Sequence, residues 1–213
     1  MDTQQVERVL EKANQVFGFI PNLFLEMSHN PAVAELMLRA LQSLSKGVLT
    51  PAEQQVVMLA VSSWNECHYC TAAHRSVGKM MGVAQADLDR LDQKQLPADE
   101  RLQAITTATW TVMEKKGWLD AGDLEHLGER GVGRAELYEI IAFVGVMTIT
   151  TYINHIHGTE LDDRWVRQAT RPQPVTQVRI SATNGQSTPH RGIRVISNQS
   201  EEQTRRRVSF GNR

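Results

Sequence analysis

The chain has 213 residues with a formal net charge of −1, and 41% of them are hydrophobic, enough for a buried core. The length suits one domain with an extension, or two small domains. A near-neutral balance singles out no nucleic acid or membrane surface as a partner. Only two cysteines occur, both inside one four-residue window, which excludes a secreted fold stapled across its loops by disulfides. The first residues, MDTQQVERVLEKANQ, lack the apolar stretch of a signal peptide, and no run reads as a membrane span, so a soluble cytoplasmic protein is expected.

In chain order, residues 3–17 place Val6, Val9, Leu10, Ala13 and Phe17 at helical spacing, and the stretch from Gly18 to Asn22, with Pro21, breaks the pattern. Asn30-Pro31 opens a second helix through Leu36, Met37, Ala40 and Leu41 to about Ser45. Thr50-Pro51-Ala52-Glu53 is a start signal, with Thr50 as N-cap, Pro51 in the first turn and Glu53 closing a capping box. That helix runs to Trp64, and the pattern resumes from about Cys67 to Met81, with Gly82 as its cap. Helices are expected over 84–95, 100–116, 120–129 and 136–157, the last closed by Gly158. The prediction is an all-α domain of about eight helices over residues 1–166, with 51–64 and 136–157 as its core.

Residues 167–213 differ. They hold nine Arg and two Glu, with no Lys or Asp, whereas the first 166 residues hold 14 basic and 22 acidic side chains. Pro, Ser, Thr and Gln replace the large aliphatic residues, too little apolar surface to offset ordering entropy, so a basic, disordered tail is expected. Its Arg205-Arg206-Arg207-Val208-Ser209 run reads as a solvated charge cluster.

The chemistry concentrates in Glu66-Cys67-His68-Tyr69-Cys70-Thr71-Ala72-Ala73-His74. On a helix, cysteines three apart are neighbours, and His74 follows Cys70 by one turn, so the three side chains share a stripe. A helix N-terminus and a nearby imidazole both favour the reactive thiolate, and His74 is placed to take a proton from Cys70. One sulfur attacking a peroxide yields a sulfenic acid, which the second cysteine converts to a disulfide. A redox dithiol is the leading reading. A zinc site, which needs a fourth ligand such as His155 or His157, and inert buried thiols are the alternatives.

These residues resemble the AhpD-like, carboxymuconolactone decarboxylase superfamily. The similar stretch is LTPAEQQVVMLAVSSWNECHYCTAAHRSVGKMMG, residues 49–82, with its C-x-x-C-x-x-x-H core; YINHIHGTELD, residues 152–162, resembles the closing helix. The resemblance implies an AhpD-like helical fold assembling into homotrimers or homohexamers. It implies alkylhydroperoxidase or thiol oxidoreductase activity without metal or flavin cofactors, a hydroperoxide substrate and an external dithiol as reductant. It further implies that Cys70 attacks, Cys67 resolves and His74 belongs to a proton relay. Decarboxylase members generally lack the cysteine pair. Two positions depart from the peroxidase pattern: Gln55 stands where a relay Glu is common, and Tyr69 where a His often precedes the second cysteine. An amide orients a partner but accepts no proton as a carboxylate does. A non-catalytic redox sensor or binding module is the second functional reading.

Among the other candidates, Tyr69 is expected to pack rather than meet a peroxide, and His68 to face solvent or a neighbouring subunit. Asn154, His155 and His157 are expected to lie away from the site, Trp64 and Trp110 to be core or subunit-contact residues, and Met80 and Met81 to be packing residues.

Overall fold

The computed structural model describes residues 3–163. The expected tail, its charge cluster and the boundary at residue 166 lie outside them. Among the described residues there are nine helices and no strands: α1 (Thr3–Phe17), α2 (Asn22–Met27), α3 (Pro31–Leu44), α4 (Pro51–Trp64), α5 (His68–Met80), α6 (Gln85–Asp92), α7 (Glu100–Lys115), α8 (Ala121–Glu129) and α9 (Arg134–His157). The all-α reading holds, with α2 added. That helix is six residues long, too short to show a 3.6-residue period, and it follows directly on Pro21.

The start of α4 is as expected. Thr50 Oγ1 accepts from the Glu53 amide at 3.3 Å, and a Glu53 carboxylate oxygen accepts from the Thr50 amide at 2.7 Å. Arg101 of α7 also pairs with Glu53, so the cap is tied into the bundle. α4 is buried along nearly its whole length and packs against α5, α6, α7 and α9. It is the central post, which explains its apolar character on all sides.

α9 departs from the expectation in two ways. It is long and apolar enough to cross a membrane by length and composition, contrary to the sequence reading. Yet Leu137, Ile140, Phe143 and Met147 pack into the core, while Tyr138, Ile141, Tyr152 and Ile156 lie exposed on the other side. It is therefore a core helix on one face only. Leu36, assigned to the apolar face of α3, is 54% exposed; Ala34, Met37 and Leu38 form that face instead.

Two close approaches set the helix positions. Within α5, a Cβ on Gly78 would lie 3.0 Å from Leu88 Cδ2 and 3.6 Å from Gln55 Cβ, so α4, α5 and α6 meet at a glycine. At Gly47 a Cβ would collide with the Glu139 carboxylate. Glu139, buried on α9, accepts from the Val48 amide at 2.6 Å and the Leu49 amide at 3.1 Å, and its other oxygen accepts from Gln54 Nε2 at 3.1 Å. The α3–α4 loop is thus laced to α9 through one carboxylate.

Candidate active site

The two cysteines sit where α4 hands over to α5. Glu66, the residue before Cys67, takes a left-handed conformation at φ 59°, and its carboxylate pairs with Lys94 at 2.8 Å. Cys67 is consequently the N-cap of α5 rather than its first turn, and its sulfur accepts from the Cys70 amide at 3.3 Å. The cap places that sulfur against the unpaired amides and positive end of the helix. The sulfurs of Cys67 and Cys70 are 2.6 Å apart, and each residue is only 2% exposed.

α9 closes over this pair. Asn154 Nδ2 donates to Cys70 Sγ at 3.2 Å and lies 3.7 Å from Cys67 Sγ, and Thr151 Oγ1 is 3.9 Å from Cys70 Sγ. The two thiols share one proton unequally. The hydrogen bond from Cys70, with smaller help from its backbone amide, Asn154 and Thr151, brings Cys67 down to about 7 against the opposing effect of burial. The same hydrogen bond, burial and the charge on Cys67 push Cys70 up. At rest the charge therefore belongs to Cys67 and the proton to Cys70.

His74 lies partly exposed on α5. Its Nδ1 is 3.0 Å from Gln55 Oε1, so Nδ1 is the donor and Nε2 is left as the unprotonated nitrogen. Burial lowers its pKa to about 4, so the ring is neutral at pH 7. A neutral imidazole does not stabilise the thiolate by charge; the cap, the second thiol and Asn154 carry that effect. No hydrogen bond joins His74 to either sulfur among the described residues. Gln55, Cys70 and His74 instead face one cavity of about 770 Å³, whose walls are mostly apolar, with Phe17, Phe24, Met58 and Met147 among them. Cys67 does not line it.

Most of the other candidates fall where expected. The Tyr69 hydroxyl donates to Asp162 at 2.5 Å and lies 3.4 Å from the Leu23 amide, so it clasps the chain after α9 against α2. His68 is exposed. His155 is exposed too, and His157 pairs with Glu26 at 3.1 Å, away from the sulfurs. Trp110 donates from Nε1 to the Ala60 carbonyl at 3.2 Å and packs against Trp64 with ring centroids 6.5 Å apart, so both serve the core.

Two expectations are corrected. Asn154 reaches the site, because α9 turns its Thr151–Asn154 edge toward the sulfurs. Met80 and Met81 are 70% and 45% exposed, since they lie at the C-terminal end of α5, although Met80 still contributes to the cavity wall. The sequence reading missed Thr151 and Gly78. Polar Thr and Asn three residues apart inside an apolar helix were the available signal for Thr151. No group of three or more His, Cys, Asp or Glu side chains capable of holding a metal occurs among the described residues.

The helical bundle that carries this buried dithiol shares its fold with several solved structures. Residues 31–104 match the Carboxymuconolactone decarboxylase family, a span that includes Gln55, both cysteines and His74. No curated protein matches the sequence. Among solved structures, the chain is similar to the alkylhydroperoxidase AhpD core of an uncharacterized peroxidase-related protein from Ralstonia eutropha JMP134, with a TM-score of 0.68 and 20% identity over 80% of this chain and 92% of that one. An uncharacterized peroxidase-related protein from Silicibacter sp. TM1040 gives 0.66 and 18% identity over 78% and 89% of the two chains. The debrominase Bmp8, in complex with 2,3,4-tribromopyrrole, gives 0.63 and 16% identity over 78% and 90%.

Proposed function

We propose that this protein is a cysteine-based peroxidase and thiol–disulfide oxidoreductase of the AhpD-like type. The observation that carries the reading is the pairing of two buried sulfurs, 2.6 Å apart, with a cavity that only Cys70 lines. In the resting pair the proton sits on Cys70. Its passage to Cys67 exposes a thiolate to the cavity, where a hydroperoxide binds. The Cys70 sulfur attacks the terminal oxygen, the O–O bond breaks, and the departing alkoxide takes the proton that Cys67 had received, leaving as the alcohol. Cys70 then carries a sulfenic acid. Cys67, again a thiolate, attacks the Cys70 sulfur, and hydroxide leaves as water on protonation. The sum is hydroperoxide plus two thiols giving alcohol, water and a Cys67–Cys70 disulfide. An external dithiol reopens it by exchange and is itself oxidised. His74, with Nε2 free to accept, and Gln55, which fixes the tautomer, orient the proton transfers.

The resemblance adds a homotrimeric or homohexameric assembly, for which the exposed Tyr138, Ile141, Tyr152 and Ile156 on α9 are available, and the sequence reading adds a cytoplasmic location. A second reading, a non-catalytic redox sensor that reacts poorly with peroxide, is favoured by Gln55 and the low basicity of His74.

Rapid mixing of the reduced protein with an alkyl hydroperoxide decides between them. Fast loss of both thiols, abolished in Cys70→Ser, supports the peroxidase. Slow peroxide reaction with ready exchange against small disulfides supports the second reading. An aryl bromide belongs in the same assay, because the debrominase shares the fold.

A further inference from the structure

We propose that Asn154 is a catalytic residue of the dithiol: its amide N–H follows the negative charge as it moves between the two sulfurs and, by favouring the reduced pair, sets the reduction potential of the disulfide. The inference rests on the dithiol reading above, but not on its peroxidase step.

Three observations carry it. First, Asn154 Nδ2 is the one side-chain nitrogen within hydrogen-bond distance of the sulfurs among the described residues, 3.2 Å from Cys70 Sγ and 3.7 Å from Cys67 Sγ. It therefore touches both reacting atoms and serves either form of the monoanion. Second, no cation does this work. No cationic side chain is among the groups that hold the Cys67 charge, and His74 is neutral and bonded to Gln55. A thiolate buried without a counter-ion depends on neutral donors, and hydrogen bonds to a charged acceptor are the strong ones. Third, Asn154 is only 5% exposed and its Oδ1 has no hydrogen-bond partner. An asparagine kept for structure alone satisfies both ends of its amide; this one leaves its acceptor unmatched while its donor faces the sulfurs. The α5 N-terminus contributes a backbone amide to Cys67 but none to Cys70. When the charge moves to Cys70 for attack, Asn154 is its nearest amide donor, beside the Cys67 thiol and the more distant Thr151 hydroxyl.

The same contact acts on the redox equilibrium. Reduction of the disulfide by an external dithiol breaks the S–S bond and returns one thiolate and one thiol to this protein, while the external dithiol closes its own disulfide. Only the reduced side carries the charge that Asn154 stabilises, so Asn154 makes the disulfide easier to reduce.

The test uses the full chain, with Asn154→Ala and the near-isosteric Asn154→Asp. Thiolate absorbance is titrated against pH, and the disulfide is equilibrated with dithiothreitol of known oxidation state. Loss of the donor is expected to lower the thiolate fraction near neutral pH about tenfold in the Ala variant, and further in the Asp variant, whose carboxylate repels the thiolate. The disulfide becomes correspondingly harder to reduce. A folded Asn154→Ala protein with the wild-type titration and potential overturns the proposal, even if its melting temperature falls. Shifted titration and potential in a protein inert to peroxide still support Asn154 while removing the peroxidase reading. A wild-type protein that forms no Cys67–Cys70 disulfide overturns both.

Discussion

Gln55 Oε1 meets His74 Nδ1 at 3.0 Å, across the contact where α5 lies on α4 at Gly78. The amide fixes the imidazole's tautomer without sharing a proton, and nothing offsets the burial that keeps the ring neutral. A carboxylate at this position would pair with the imidazolium and raise the pKa of His74 toward its ordinary value. Gln55→Glu is therefore expected to speed peroxide reduction by about tenfold, below the full contribution of a positioned acid–base group. Stopped-flow loss of thiols in the variant and wild type checks this. An unchanged rate shows that proton transfer through His74 does not limit the reaction.

His74 also makes the fold sensitive to acid. Its folded pKa is about 4 and its ordinary value 6.5. Above pH 6.5 neither state holds the proton and the residue has no pH effect. As pH falls from 6.5 to 4 the unfolded chain binds a proton that the folded chain refuses, so stability is lost over that window and levels off below it. Burial is incomplete, since the ring reaches the cavity, so the loss is at most about 3 kcal/mol. Urea unfolding at pH 7 and pH 5 should show the drop, and His74→Gln should flatten it.

The unequal thiols predict a distinct profile at higher pH. Cys67 lies at about 7 against an ordinary 9.0, while Cys70 is raised. Below pH 7 both folded and unfolded chains keep both protons. Between 7 and 9 the folded protein has already released the Cys67 proton, so stability rises with pH. Above 9 the unfolded chain releases two protons and the folded one a single proton, so stability falls again. The reduced protein should show one thiolate forming near pH 7 by ultraviolet absorbance. Cys67→Ser should remove that step. Cys70→Ala should raise it, because the strongest donor to the Cys67 sulfur is lost.

Much of this site was legible in the sequence because its parts are local. Thr50 and Glu53 cap α4 as their spacing requires, and Cys67, Cys70 and His74 lie within eight residues, so one helix start orders them all. Even there, the spacing placed Cys67 inside the helix. The left-handed turn at Glu66, held by Lys94 from the α6 end, makes it a cap, and no short-range pattern encodes that pairing. Asn154 and Thr151 come from α9, more than 80 residues away. Their role depends on which face of α9 crosses the α5 N-terminus, a packing outcome. The same holds for the exposed half of α9, whose composition alone reads as fully buried.

The lacing of Gly47 to Glu139 gives a stability prediction independent of the chemistry. The Glu139 carboxylate is buried and gathers donors from Val48, Leu49 and Gln54. It lies so near the Gly47 backbone that a methyl group there would occupy its space. Gly47→Ala must push the carboxylate off these donors or move the loop, a cost of about 2 kcal/mol. Glu139→Ala leaves the Val48 and Leu49 amides without their acceptor, while Gln54 Nε2 keeps the Leu44 and Leu49 carbonyls, and should cost about 2 kcal/mol. The two substitutions act on one contact, so the double variant should lose less than the sum, since with the carboxylate gone the alanine methyl has room. Chemical denaturation of the four proteins measures the coupling. Additive losses would show that the loop holds its place without Glu139, and the α4 cap would then be its anchor.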